Sequence, residues 1–207
     1  MKSWISIFVL LWLSSPGVAA AVTPSGTPPV SERFQSESVA EVPDFQRHVG
    51  PLLGRLGCNG RACHGSFQGQ GGFQLSLFGY DFSKDHQAIR SRVLPAQPAS
   101  SLLLRKPTLQ DDHEGGRRFA EDSWQYRLLH RWVEAGARTA SIVELRKLEL
   151  NPSELQFAHP GETQSLQVIA RWADGSAEDV TCLCRFESRD ESIAAIDVDG
   201  HVKAMGR

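Results

Sequence analysis

Residues 57–65 of this 207-residue chain read Gly57-Cys58-Asn59-Gly60-Arg61-Ala62-Cys63-His64-Gly65. Two cysteines share a short glycine-bearing loop, and a histidine follows the second directly, which restricts what can be built around them. A Cys-x-x-Cys-His run is the attachment signal for a c-type haem. The order is chemical: each thiol adds to one porphyrin vinyl group, and the adjacent imidazole binds the iron. Here four residues separate the cysteines instead of two, a rarer spacing of the same pattern. On this reading Cys58 and Cys63 are the haem thioethers and His64 is the proximal iron ligand, with one covalent haem c per chain.

Two other readings of the cysteines stay open. A disulfide between Cys58 and Cys63 would suit an oxidising compartment. A structural zinc site would need two further ligands, and Cys182 and Cys184 stand far along the chain. The adjacent histidine favours haem, because a disulfide gives no reason for an imidazole there.

The first 21 residues have the form of a signal peptide. Lys2 supplies a positive start, Ile5 to Leu13 an apolar run, and Ala19-Ala20-Ala21 the small residues a signal peptidase accepts. That run is shorter than the roughly 20 residues a permanent membrane helix needs, so no stable membrane span is expected after cleavage. A retained anchor is the alternative. The mature chain is therefore expected to be exported, to a periplasm or cell surface, where bacterial haem c is also attached. Net charge is −2, with the basic residues spread through the chain, which leaves no footprint for nucleic acid.

Residues 22–41 are rich in Pro, Ser, Thr and Gly and read as a flexible linker. Order is expected from residue 42. Phe45, Val49, Leu52, Leu53 and Leu56 mark one helix face, kinked or started late by Pro51. The glycine cluster Gly69 to Gly72 lacks a phosphate-loop ending, and Phe73, Leu75, Leu77 and Tyr80 offer a pocket wall. Helices are expected over residues 83–94, capped by Ser83, and 98–107, stopped by Pro107. Asp111 to Phe119 has no apolar period and reads as a loop holding His113. A strong helix then starts at Asp122 or Ser123, with Trp124, Leu128, Leu129, Trp132 and Val133 on one face and Gly136 as its cap.

From residue 147 the pattern changes to short apolar–polar alternations: Leu148-Glu149-Leu150, Leu155-Gln156-Phe157, Ser165 to Trp172 and Ala195 to Val198. Turn signals separate them, notably Asp174-Gly175 and Asp199-Gly200. This predicts an antiparallel β-sandwich.

These blocks resemble the N-terminal part of large exported bacterial proteins that join a cytochrome-c-like module to a group 2 bacterial immunoglobulin-like (Big2) domain. The first likeness runs through Gly57 to Gly65, Gly69-Gln70-Gly71-Gly72-Phe73, Leu75 to Asp81, Ser101 to Lys106 and His113-x-Gly115-Gly116-Arg117-Arg118-Phe119. It ends at Leu129-x-x-Trp132-Val133-x-x-Gly136-Ala137. The second runs through Leu148-x-Leu150-x-Pro152, Pro160 to Gln164, Asp174-Gly175-Ser176, Asp179-Val180-Thr181 and Ile196-Asp197-x-Asp199-Gly200. The resemblance implies a multidomain chain: a small all-α cytochrome-c-like haem domain over 42–140, then an all-β immunoglobulin-like sandwich over 147–207. The second domain would lack its last strands.

For the far side of the iron, methionine is the usual partner in high-potential cytochromes. Met1 would leave with the signal, and Met205 falls in the other domain. His48, His86 and His130 are placed on helices. His113, in its loop, is the candidate distal haem iron ligand, with an open or water-bound iron as the rival. The expected function is a one-electron carrier, not an enzyme, that meets a redox partner protein. An open sixth position would permit small-ligand or peroxide chemistry. The alternative is a non-haem surface module with a Cys58–Cys63 disulfide, making cell-surface or polysaccharide contacts through its immunoglobulin-like part. A partial gene product whose function lies in missing domains is the third reading. Cys182 and Cys184 would share one face of a strand and receive no function.

Overall fold

The computed structural model describes residues 28–206, apart from 37, 66 and 141. The expected signal peptide, residues 1–21, lies outside the described residues. Helix α1, Val30–Arg33, is a single turn within the stretch read as a linker. Val30 and Phe34 at its ends are fully buried. Burying such side chains contributes about 1.5–3 kcal/mol each, enough to seat a short polar segment. Phe45–Val49 wind as a π-helical turn capped by the Asp44 side chain, and continue directly into α2, Gly50–Arg55. Pro51 lies in the first turn of α2. It has no N–H to return to the preceding turn, and the backbone widens there.

Helix α3 covers Phe82–Arg90, and its cap is Asp81, not Ser83: the Asp81 carboxylate accepts from the Lys84 N–H at 2.9 Å. A short 3-10 turn, Pro98–Ser100, precedes α4, Leu102–Thr108, which carries Pro107 in its last turn and ends at left-handed Leu109. Helix α5, Trp124–Glu134, matches its expected span. Ser123 caps it, and Leu128, Leu129, Trp132 and Val133 are buried. Gly136 beyond it adopts φ 94°, the left-handed conformation that ends helices.

Among the described residues six short strands follow: β1 Leu145–Asn151, β2 Thr163–Ser165, β3 Gln167–Trp172, β4 Ala177–Asp179, β5 Ala194–Ile196 and β6 His201–Ala204. They form two three-stranded antiparallel sheets, ordered β1-β3-β4 and β2-β6-β5. Asp174-Gly175 makes the β3–β4 hairpin turn, with Gly175 at φ 84°. The run 165–172 is divided between two sheets, and 155–157 forms no strand. Cys182 sits in a 3-10 turn, Thr181–Leu183, with Cys184 capping it, so the pair does not share a strand face.

The expected fold class needs correction. Neither a small all-α domain nor a clear immunoglobulin sandwich is present. Val168, Ala170 and Trp172 of β3 and Val180 and Leu183 beyond β4 belong to the same buried cluster as Leu52, Leu104, Leu128 and Trp132. Period-two alternation states that one face of a strand is buried, but not by what. Here helices cover the inner face of the first sheet, where a sandwich would use a second sheet. Polar ties reinforce the contact. The Arg47 guanidinium lies 4.7 Å from the Trp172 ring centre, and Arg55 donates to the Cys184 carbonyl at 2.6 Å. Gln46 both donates to and accepts from the Val143 backbone.

Candidate functional site

The loop after α2 is shaped by its own backbone. Gly57 takes φ 76°, which turns the chain out of the helix. The Cys58 N–H returns to the Leu53 carbonyl, and the His64 N–H donates to the Cys58 carbonyl, both at 2.9 Å. These bonds bring both cysteines and the histidine into one compact turn. Gly65 packs so tightly that a Cβ there would stand 2.0 Å from the Asn59 carbonyl oxygen. The glycine after the histidine is a steric requirement of the turn.

His64 is half-buried against Phe73, with ring centroids 4.7 Å apart. Its Nδ1 lies 3.1 Å from both the Gln70 and the Phe73 carbonyl oxygens. A carbonyl accepts only, so the proton of the neutral ring sits on Nδ1 and the lone pair on Nε2. Burial lowers the His64 pKa below the usual histidine value. The carbonyl bonds oppose that shift, and the His113 and Arg92 charges add to it. The neutral, ligating form is therefore favoured at neutral pH.

His113 reaches the same place from the loop after α4. The Arg105 guanidinium binds both carboxylate oxygens of Asp111, and the Arg118 N–H donates to the Pro107 carbonyl. These bonds close the loop. His113 Nδ1 lies 2.9 Å from the Gly116 carbonyl, which fixes the same tautomer as in His64. The two imidazole rings stand 6.4 Å apart between centroids, with 18° between their planes. Gly115 makes room: a Cβ there would meet His113 Cε1 at 2.8 Å.

Both cysteines are free thiols in this structure and partly exposed. Burial pushes the Cys58 thiol up to about 11, opposed by the Arg118 charge. Arg118 also approaches the Cys63 sulfur at 3.8 Å. Arg92 stacks on the outer face of Phe73 at 5.4 Å and donates to the Gly71 carbonyl. Phe67, Phe78 and Tyr80 are 94%, 71% and 76% exposed, and the Phe78 N–H donates to the Asn59 carbonyl of the loop, so exposed apolar side chains rim it.

The three other helical histidines have partners elsewhere. His48 is buried; its Nδ1 accepts from the Asp44 N–H at 2.9 Å, and its Nε2 faces Glu178 at 3.0 Å. His86 bonds the Ala137 carbonyl and packs on Phe45 and Trp132. His130 stacks on Tyr126. Cys182 and Cys184 pack near Arg55. Among the described residues, no three His, Cys, Asp or Glu side chains are gathered as a metal site. Arg118 and Arg92 went unremarked as site residues in the sequence, where only the Gly-Gly-Arg-Arg run beside His113 hints at the first.

The residues fit a covalent haem on three counts. The two thiols are free. Both histidines hold their Nδ1 proton against a backbone carbonyl, the usual device for presenting Nε2 to a metal. The two rings also come close, 6.4 Å apart between centroids with nearly parallel planes, a spacing of the order that two metal–nitrogen bonds of about 2 Å each would span. Among the described residues no helix is long and apolar enough to cross a membrane. Compared with protein families, curated proteins and solved structures, the chain shows no match.

Proposed function

We propose that the chain is an exported electron-transfer module carrying one covalent haem c. Cys58 and Cys63 would provide the thioethers, and His64 and His113 would hold the iron. The haem, when bound, supplies a one-electron iron couple. The observation that carries this reading is the His64–His113 pairing: two imidazoles from distant segments, each with Nδ1 on a carbonyl, beside two free thiols.

The protein's own part follows from its chemistry. The Gln70, Phe73 and Gly116 carbonyls hold the two ring protons at Nδ1 and fix the ring orientations. Phe73 keeps water from one face of His64, and Arg92 holds Phe73 in place. Arg118 places a fixed positive charge beside the thiols. The resemblance of residues 57–65 and 113–119 to exported cytochrome-c-like modules supports the same reading, as does the signal-like start. A redox partner protein is then required, met through the exposed rim.

A spectroelectrochemical titration of protein exported in a host with haem-attachment machinery tests this. The expected result is a reversible one-electron transition of a six-coordinate low-spin haem. A chain that emerges colourless under those conditions is not an electron carrier of this kind.

A further inference from the structure

Strand β1 is the outer strand of the sheet β1-β3-β4, and among the described residues nothing pairs with its other edge. An unpaired edge presents N–H and C=O groups that template another strand. Natural edges are blunted by proline, bulges, short length or charge. Strand β1 runs seven residues with no proline or glycine, and its one register shift lies at its start, between Leu145 and Lys147. Its charges, Arg146, Lys147 and Glu149, are of both signs, so they can turn away a foreign strand and still match a second copy. Leu148 and Leu150 pair with Ala170 and Val168, on the face that enters the core. The helices do not reach that far, and Leu145, Leu148 and Leu150 remain 41%, 54% and 46% exposed.

We propose that β1 is a homodimer interface, in which two copies of this chain pair β1 against β1 antiparallel to give a continuous six-stranded sheet. The charges choose this occupant and its register. A two-fold axis perpendicular to the sheet sets one residue opposite its own copy. Centred on Leu148, it brings Lys147 opposite the other copy's Glu149, twice, and Leu148 against Leu148. Centred on Lys147 or Glu149, it would set like charges face to face, which destabilises cross-strand pairs. Lys147 and Glu149 share one face: they pair within the strand at 3.1 Å, and Glu149 also accepts from Arg171 of β3 at 2.8 Å through its other oxygen. The interface is isologous, as two-fold dimers require, and it does not depend on the haem reading.

Sedimentation of the full exported chain over a concentration series tests this, with circular dichroism to confirm that each variant folds. The native chain should dimerise. Lys147→Glu sets two pairs of carboxylates opposite each other and should weaken the dimer about tenfold or more. Glu149→Lys should do the same, and the double exchange Lys147→Glu with Glu149→Lys should restore most of the affinity. Leu148→Lys, with two lysines meeting at the axis, should abolish the dimer. A native chain that stays monomeric throughout overturns the proposal. So does a dimer untouched by the single exchanges, or one that the double exchange fails to rescue.

Discussion

His64 and His113, from a loop after α2 and a loop after α4, hold their rings 6.4 Å apart and within 18° of parallel. Nothing in either loop forces the other's position directly. The meeting depends on Gly115, whose missing side chain lets the His113 ring fold back, and on the Arg105–Asp111 pair that closes the second loop.

Gly115→Ala should therefore disturb His113 selectively. The new methyl group would lie 2.8 Å from Cε1 and 3.1 Å from Nε2, closer than side chains tolerate. In the haem-loaded protein the variant should show a mixed-spin spectrum, and His113→Ala a high-spin one. Optical spectra at room temperature read both. A low-spin spectrum unchanged in His113→Ala would remove this residue from the site.

Glu178 ties the helical part to the first sheet. It accepts from Arg33 at 2.5 Å and from His48 at 3.0 Å, with its side chain 9% exposed. Removing one member of a buried ionic group leaves the others uncompensated, so Glu178→Ala should cost about 3 kcal/mol, measured by urea unfolding. Burial works to raise the Glu178 pKa, but the His48 bond and the Arg33 guanidinium outweigh it and hold it below the usual glutamate value. A carboxylate lowered in the fold stabilises above its unfolded value of about 4.3 and loses that contribution below it. Native protein should lose stability as pH falls below about 4, and Glu178→Gln should lose less over the same range.

His64 gives the same sign at a higher pH. Its folded pKa lies below the ordinary value, chiefly through burial. As pH falls through about 6.5, the unfolded chain binds a proton that the folded apoprotein does not, and the balance shifts toward unfolding. Apoprotein melting temperature should decline from pH 7 toward pH 5, and His64→Gln should flatten the decline. A decline identical in the variant would place its cause elsewhere.

Arg118 opposes the burial that pushes the Cys58 thiol up to about 11. In the apoprotein, Arg118→Gln should slow alkylation of Cys58 at fixed pH, because a smaller thiolate fraction remains to react. Mass spectrometry after timed labelling with iodoacetamide reads the rate. Equal or faster labelling would show that the guanidinium does not act on this thiol.

Some of this architecture was legible from residue order alone. The α5 span and its buried face follow from periodicity, with the start narrowed to Asp122 or Ser123, and Gly175 and Gly200 mark turns that need positive φ. Elements that depend on distant partners were not legible. The alternation in β3 was clear, but the layer covering Val168, Ala170 and Trp172 is helical, so a correct local pattern led to the wrong class. Residues 165–172 look like one strand, yet Leu166 separates two strands of different sheets. At the site, Cys58, Cys63 and His64 were visible as a motif, and His113 as a loop histidine. Arg118 beside the sulfurs and Arg92 on Phe73 result from loop closure, which no short-range pattern encodes.

The central claim is a haem joined covalently through Cys58 and Cys63. A pyridine haemochrome spectrum of the denatured protein, after export in a host that attaches haem c, tests it most directly. The account predicts one thioether-linked haem per chain that survives denaturation, and its loss in Cys58→Ala with Cys63→Ala. A native chain without covalent haem, its two thiols joined instead as a disulfide, would contradict it.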